Sequence, residues 1–164
     1  MSMIGNYLRI PGEELERLRE DPSDIVDVLY PDDGNGDHPD GRHLDIDKSW
    51  HAIQFLLTAE PWQGKPPLQD AVMGGTELGD EDVGYGPARG LSPGQVRSVA
   101  TAISAISGEQ LWSRFDEGKF AAAEIYPQGW SADGKEYVLG YYEALQGFFA
   151  AAARDGDAMI LYLS

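Results

Sequence analysis

The sequence predicts an α+β fold: one compact domain, mostly helical, with a small mixed sheet. Its 164 residues fit a single hydrophobic core, several segments have helical periodicity, and the chain ends in the apolar run "AMILYL". An apolar run without alternation is typical of a strand covered on both faces. We therefore expect neighbouring strands at 3–10 and 158–163, within one domain spanning 1–164.

Helices are predicted in the first third of the chain. "GEELERLRED" and "PSDIVDVLY" have the composition of two short acidic helices separated by Pro22. A third helix is predicted to begin at Asp47, which is a good N-cap residue, and to end before Pro61. Its apolar side chains, from Trp50 to Leu57, would face the core.

The second half of the chain is also predicted to be helical. In "SPGQVRSVATAISAIS", Ser92 and Gln95 match a capping box ahead of an apolar face, and Ser107 repeats the pattern for a short helix. "EYVLGYYEALQGFFAAAARD" predicts one long helix. Between these halves, the glycine-rich segment 68–91 follows neither period and is predicted to form a long, shaped loop.

The composition excludes several classes of protein. The chain has no cysteine, so disulfides, thiolate metal sites and a cysteine nucleophile are excluded. "MSMIGNYLRI" does not resemble a signal peptide, and no apolar run approaches the roughly 20 residues that span a bilayer. These features predict a cytoplasmic location.

The net charge of −16 is concentrated in residues 11–47, which hold thirteen acids against Arg17, Arg19 and Arg42. A field of this sign repels nucleic-acid phosphates and anionic lipids, so we expect no binding to nucleic acid or membranes. Two interpretations remain: the acids keep the protein soluble, or an acidic face docks a basic protein partner.

Three short motifs fail on chemical grounds. "GLSPG" matches the hydrolase G-x-S-x-G pattern, but Pro93 cannot donate the backbone N–H that an oxyanion requires. "DGNGDH", residues 33–38, begins like a calcium loop but has His38 in place of the glycine of the sharp turn. The glycine-rich loop lacks both phosphate-binding fingerprints, and its Glu77, Asp80, Glu81 and Asp82 would repel a phosphate. We therefore predict no cofactor.

"HLDIDKSWHAIQFLL" is the segment with the most chemistry, since it contains His43, Asp45, Asp47 and His51. If "HLDID" is extended, its polar side chains share one side, where they could bind a divalent ion weakly. Alternatively, Asp47 caps the helix and Asp45 pairs with a base. Arg89, beside Tyr85, is the candidate base, either as an internal ion pair or as a clamp for a ligand carboxylate.

Six stretches together resemble the YfbM-like family of small bacterial proteins: "MIGNYLRI", "LDIDKSWHAIQFLL", "AVMGGTELG", "GYGPAR", "FDEGKFAAAEIYP" and "DAMILYLS". The resemblance spans residues 1–164. It implies a compact, cytoplasmic α+β domain of bacterial origin, and it transfers no catalytic residue. It directs attention to Asn6 in the first strand, and to the "LDIDK" and "GYGPAR" segments.

Two functions follow as hypotheses. The first is a non-enzymatic protein- or ligand-binding domain whose acidic face docks a basic partner, as an inhibitor or immunity protein for a basic toxin would. The alternative is an enzyme or small-molecule binder with a polar pocket built from "LDIDK" and "GYGPAR". The residues predicted to line that pocket are Asn6, Asp45, Asp47, His51, Tyr85 and Arg89.

Overall fold

The computed structural model describes residues 2–31 and 38–164 of the chain. Part of the polar turn predicted at 31–41, including the 33–37 portion of "DGNGDH", therefore lies outside the described residues. Within these ranges the chain forms five strands, β1 (Gly5–Ile10), β2 (His43–Asp45), β3 (Thr76–Glu77), β4 (Arg89–Leu91) and β5 (Ala158–Leu163). They make one sheet in the order β2-β1-β5-β4-β3.

The two strands predicted near the chain ends are neighbours, as expected. β1 pairs with β5 along its whole length, from Gly5 opposite Leu163 to Ile10 opposite Ala158. Every strand pair in the described sheet is antiparallel. The prediction of a mixed sheet is therefore wrong. β5 is the central strand, and an apolar strand in that position is covered on both faces.

Seven α-helices lie in the described ranges: α1 (Gly12–Glu20), α2 (Ile25–Leu29), α3 (Trp50–Thr58), α4 (Pro93–Ser104), α5 (Gly108–Trp112), α6 (Glu117–Ala122) and α7 (Lys135–Asp155). Short 3₁₀ turns occur at Pro22–Asp24, Asp47–Ser49, Leu68–Ala71 and Ala132–Gly134. The mostly helical α+β architecture is confirmed. The segment predicted as a loop, 68–91, in fact contains a 3₁₀ turn and both β3 and β4.

The sheet separates two hydrophobic cores, because successive side chains of a strand point to opposite faces. Tyr7, Met159 and Leu161 point into the larger core, which is completed by α3, α4 and α7. Leu8 and Ile160 point into the smaller core, which α1 and α2 cover. Each face of the sheet is therefore covered by its own set of helices.

No helix in residues 2–31 or 38–164 combines the length and apolar character needed to cross a membrane.

Candidate functional site

Asn6 and His43 meet on the smaller-core face of the sheet. The register places Leu8 opposite His43 and Asn6 opposite Asp45, so His43 and Asp45 share a face, as their alternation predicted. His43 Nε2 lies 3.0 Å from Asn6 Oδ1, and Asn6 Nδ2 donates to Ser164 Oγ at 2.8 Å. These contacts connect β1, β2 and the residue that follows β5. Asn6 and His43 therefore stabilise the pairing of these strands.

Asp47 is not the N-cap of α3 as predicted. It has φ +50° and begins a 3₁₀ turn, and no side-chain cap bond is made at the start of α3. Asp45 Oδ1 instead accepts the Asp47 N–H at 2.6 Å, and Asp47 Oδ2 accepts the Tyr137 hydroxyl at 2.7 Å. That hydroxyl oxygen in turn accepts the Lys48 N–H at 3.1 Å. Tyr137, which sequence reasoning missed, thus attaches α7 to this turn.

His51 is a buried structural histidine. Its Nδ1 accepts the Tyr126 N–H at 2.8 Å, and its Nε2 lies 3.0 Å from the Pro61 carbonyl oxygen. A ring nitrogen that accepts is unprotonated, so Nε2 carries the hydrogen and the ring is neutral. The ring lies between Trp50 and Trp62, with centroid distances of 4.8 and 4.5 Å. Burial lowers the pKa of His51, consistent with a neutral ring.

The proposed metal ligands therefore do not converge. Asp47 is hydrogen-bonded to Tyr137, His51 to backbone groups, and His43 to Asn6. Across the described part of the chain, no three histidine or acidic side chains are arranged to hold a metal ion.

The expected ion pair between Arg89 and Asp45 or Asp47 is absent. Arg89 Nη1 donates instead to the carbonyl oxygens of Val72 at 2.8 Å and Gly74 at 2.7 Å. β4 is three strand positions from β2, about 14 Å at the usual strand spacing. The register also places Arg89 on the same face as Leu161, which is the face opposite to Asp45. An ion pair between Arg89 and Asp45 would therefore have to cross the sheet.

Arg89 and Tyr85 lie instead in a cleft on the larger-core side, with a volume of about 630 Å³. We call it the Arg89 cleft. Its other principal side chains are Trp62, Gln69, Asp70, Met73 and Glu77. Its walls include residues of "AVMGGTELG" and "GYGPAR", but none of "LDIDK". Of the six residues predicted to form one pocket, only Tyr85 and Arg89 line this cleft.

Asp70 forms a wall shared by the Arg89 cleft and a second cleft of about 730 Å³, which Ser92 and Gln95 also line. Only 9% of Asp70 is exposed. Its Oδ1 accepts the Gly75 N–H at 3.1 Å, and a Cβ added to Gly74 would collide with that same oxygen. Sequence reasoning missed Asp70; the adjacent Gly-Gly pair is the signal that could have indicated a close approach of backbone and side chain.

A second surface gathers acids from two distant parts of the sequence. The segment after β3 lies against the turn between α1 and α2: a Cβ on Gly79 would lie 3.0 Å from Pro22 Cγ, and the Tyr30 hydroxyl donates to the Val83 carbonyl at 2.7 Å. We call the resulting surface the acidic face. Its exposed acids are Glu13, Glu16, Glu20, Asp21, Asp24, Asp27, Asp80, Glu81 and Asp82.

The arginines of α1 are already engaged on this surface. Arg17 pairs with Glu14 at 2.6 Å and with Asp24 at 2.8 Å, and Arg19 pairs with Glu16 at 3.0 Å. Two arginines against ten acids in α1, α2, the turn between them and residues 79–82 leave the face strongly negative.

The fold and its two surfaces define a small α+β domain, and the family is shown by comparison. The chain belongs to the family described as "Domain of unknown function (DUF1877)", whose profile matches residues 1–162. No curated protein matches the chain.

The chain is also similar to a solved structure, that of YfbM from Escherichia coli, described as a protein of unknown function. The TM-score is 0.73 at 23% sequence identity, and the match covers 98% of this chain and 99% of that one. The predicted resemblance to the YfbM-like family is thereby confirmed, and the similarity at this identity shows a shared fold.

Proposed function

We propose that this protein is a non-enzymatic binding protein whose acidic face docks a basic protein partner in the cytoplasm. The observation that carries the proposal is the convergence of two acidic segments on one surface. Residues 12–29 and 79–82 are far apart in the chain, yet Gly79 packs on Pro22 and Tyr30 bonds to Val83. Dispersed charge would be enough for solubility, whereas acids gathered on one side of the domain can also steer and orient a basic partner.

The chemistry of the face suits a protein rather than a small cation. Its carboxylates are spread over α1, α2 and the loop 79–82, so a partner would need several lysines or arginines spaced over a comparable area. An inhibitor or immunity protein that covers a basic toxin would use such a surface. Charge pairs at the rim of an interface mainly accelerate association, and they weaken as salt rises.

The test is affinity capture with the purified full chain, followed by titration of any captured protein. An acidic-face variant removes four charges that make no ion pair and cap no helix in the described part of the chain: Glu13→Gln, Glu20→Gln, Asp27→Asn and Glu81→Gln. A control variant removes four exposed charges elsewhere: Glu60→Gln, Glu117→Gln, Glu136→Gln and Glu143→Gln. Both variants have the same net charge.

We expect a basic protein to be retained by the wild type and the control variant, and lost by the acidic-face variant. Retention should also disappear at about 0.5 M salt, where the screening length is only a few ångströms. A partner that binds the acidic-face variant as tightly as the control would contradict the proposal, as would capture that does not respond to salt.

A further inference from the structure

The Arg89 cleft contains a buried carboxylate, Asp70, and a partly buried guanidinium, Arg89, neither of which makes an ion pair within the described residues. In the described residues, no ion pair involves Asp70 or Arg89. The protein treats its other buried charges differently, because Arg9 contacts both Asp155 at 2.6 Å and Asp157 at 2.8 Å. Leaving buried charges unpaired is costly, and such groups concentrate at functional sites.

The Arg89 guanidinium is hydrogen-bonded through only one of its three nitrogens. Both of its side-chain hydrogen bonds, to the carbonyl oxygens of Val72 and Gly74, come from Nη1. Within residues 2–31 and 38–164, its Nη2 and Nε make no hydrogen bond. Burial lowers the pKa of Arg89, and the nearby Tyr7 and Glu77 oppose that shift only in part. A guanidinium fixed in this way presents a planar pair of donors that matches a carboxylate.

Asp70 is the complementary group. One oxygen accepts the Gly75 N–H, while the other has no hydrogen-bond partner among the described residues and can accept from a molecule in the cleft. Asp70 and Glu77 carry two negative charges against the single positive charge of Arg89, so a simple anion would meet net repulsion. A simple cation would gain nothing from Arg89.

We propose that the Arg89 cleft binds a small amino carboxylate, such as a free amino acid, with its carboxylate on Arg89 and its ammonium group on Asp70. Trp62, which is 49% exposed, and Tyr85 form apolar walls for the rest of the molecule. The volume of about 630 Å³ exceeds what one amino acid needs and falls within the usual range of ligand sites. This site is separate from the acidic face, and neither proposal depends on the other.

The test is calorimetric titration of the full chain with the standard amino acids, β-alanine and γ-aminobutyrate, which vary the spacing of the two charges. Propionate and propylamine each carry only one of the charges. We expect at least one amino carboxylate to bind the protein. Propionate and propylamine should each bind the protein at least about tenfold more weakly than that amino carboxylate does. If no amino carboxylate binds, or if propionate or propylamine binds equally well, the proposal is wrong.

Variants locate the binding site. Asp70→Asn keeps the shape and can still accept the Gly75 N–H, so it should fold, yet it should weaken binding by about tenfold or more. Glu143→Gln, on the exposed side of α7, should leave binding unchanged. Equal affinity of Asp70→Asn and wild type would overturn the assignment.

Amide NMR shifts of the unmodified protein give a second readout that requires no substitution. When the amino carboxylate that binds is titrated into the protein, the amides of Gly74, Gly75 and Gly86 should show the largest shifts, because these residues line the cleft. Shifts confined to other regions would also overturn the proposal.

Discussion

Four charged side chains connect the first part of the chain to its end: Arg9, Arg42, Asp155 and Asp157. Arg9 Nε donates to Asp157 Oδ2 at 3.0 Å, and Arg42 Nη1 lies 2.9 Å from that same oxygen. Asp155 completes the cluster at the end of α7. Composition could not reveal this arrangement, because the two arginines are more than a hundred residues away from the two aspartates and each is an ordinary charged residue by itself.

Asp157→Asn should lower the free energy of unfolding by about 3 kcal/mol, because it leaves the buried Arg9 without its most buried partner. Urea denaturation at neutral pH measures the change. Asp155→Asn is the matched control: its side chain is 48% exposed, so its loss should lower the free energy of unfolding much less than Asp157→Asn does. Equal losses in the two variants would show that burial does not set the strength of this cluster.

The two histidines on either side of Asp47 make stability depend on pH. Burial lowers the pKa of both His43 and His51, whereas an unfolded histidine titrates near 6.5. The folded state therefore resists protonation: stability is complete above about pH 6.5 and falls as the pH drops below it. Urea midpoints at successive pH values should show this loss. His51→Gln should make the loss smaller, and an unchanged slope would contradict the neutral assignment of His51.

At the level of elements, capping boxes were reliable signals, whereas the single N-cap residue predicted at Asp47 was not. Both capping boxes form as predicted, with Ser92 Oγ accepting the Gln95 N–H and Ser107 Oγ accepting the Gln110 N–H. β3 and β4 were missed because strands of two and three residues in a glycine-rich segment carry no readable period. α6 was also missed, although Asp116 caps it through the Lys119 N–H.

Ser92→Ala should cost about 1 kcal/mol, because it removes the acceptor for the first turn of α4. Ser98→Ala is the control within the same helix: its exposed hydroxyl bonds only to the Gly94 carbonyl one turn earlier, so its loss should have little effect. Thermal unfolding of the two variants compares them directly. A larger loss for Ser98→Ala would mean that the cap does not limit this helix.

The candidate site was predictable only in part. The sequence indicated Arg89 and Tyr85, but it placed them with the wrong acids, because the face of a sheet to which a side chain points depends on register and strand order. Asp70 and Trp62 reach the cleft through the irregular segment 61–75, whose path no periodicity describes.

For the molecule as a whole, the sequence was sufficient to predict a single α+β domain with adjacent terminal strands. The direction of strand pairing was not readable, since an apolar strand has the same composition in a parallel or an antiparallel sheet. The convergence of the two acidic segments was equally hidden, because it depends on the packing of residues 79–83 against α1 and α2.

A net charge of −16 should make the protein more stable as salt is added, because screening relieves repulsion among the acids. The urea midpoint should rise between about 10 and 200 mM sodium chloride. If the acidic face dominates that repulsion, the four-charge acidic-face variant should show a smaller rise than the control variant of equal charge. A midpoint that falls with salt would indicate that ion pairs, rather than repulsion, dominate.

The central position of β5 has a consequence for biosynthesis. Ribosomes release a chain from its N-terminal end, so β1 and β4, the two strands that β5 joins, emerge before it. Until residues 158–163 leave the exit tunnel, β1 can pair only with β2 and β4 only with β3, and the two halves of the sheet are not connected. Cotranslational folding can therefore produce helices and local turns early, but the sheet closes only when nearly the whole domain has been translated.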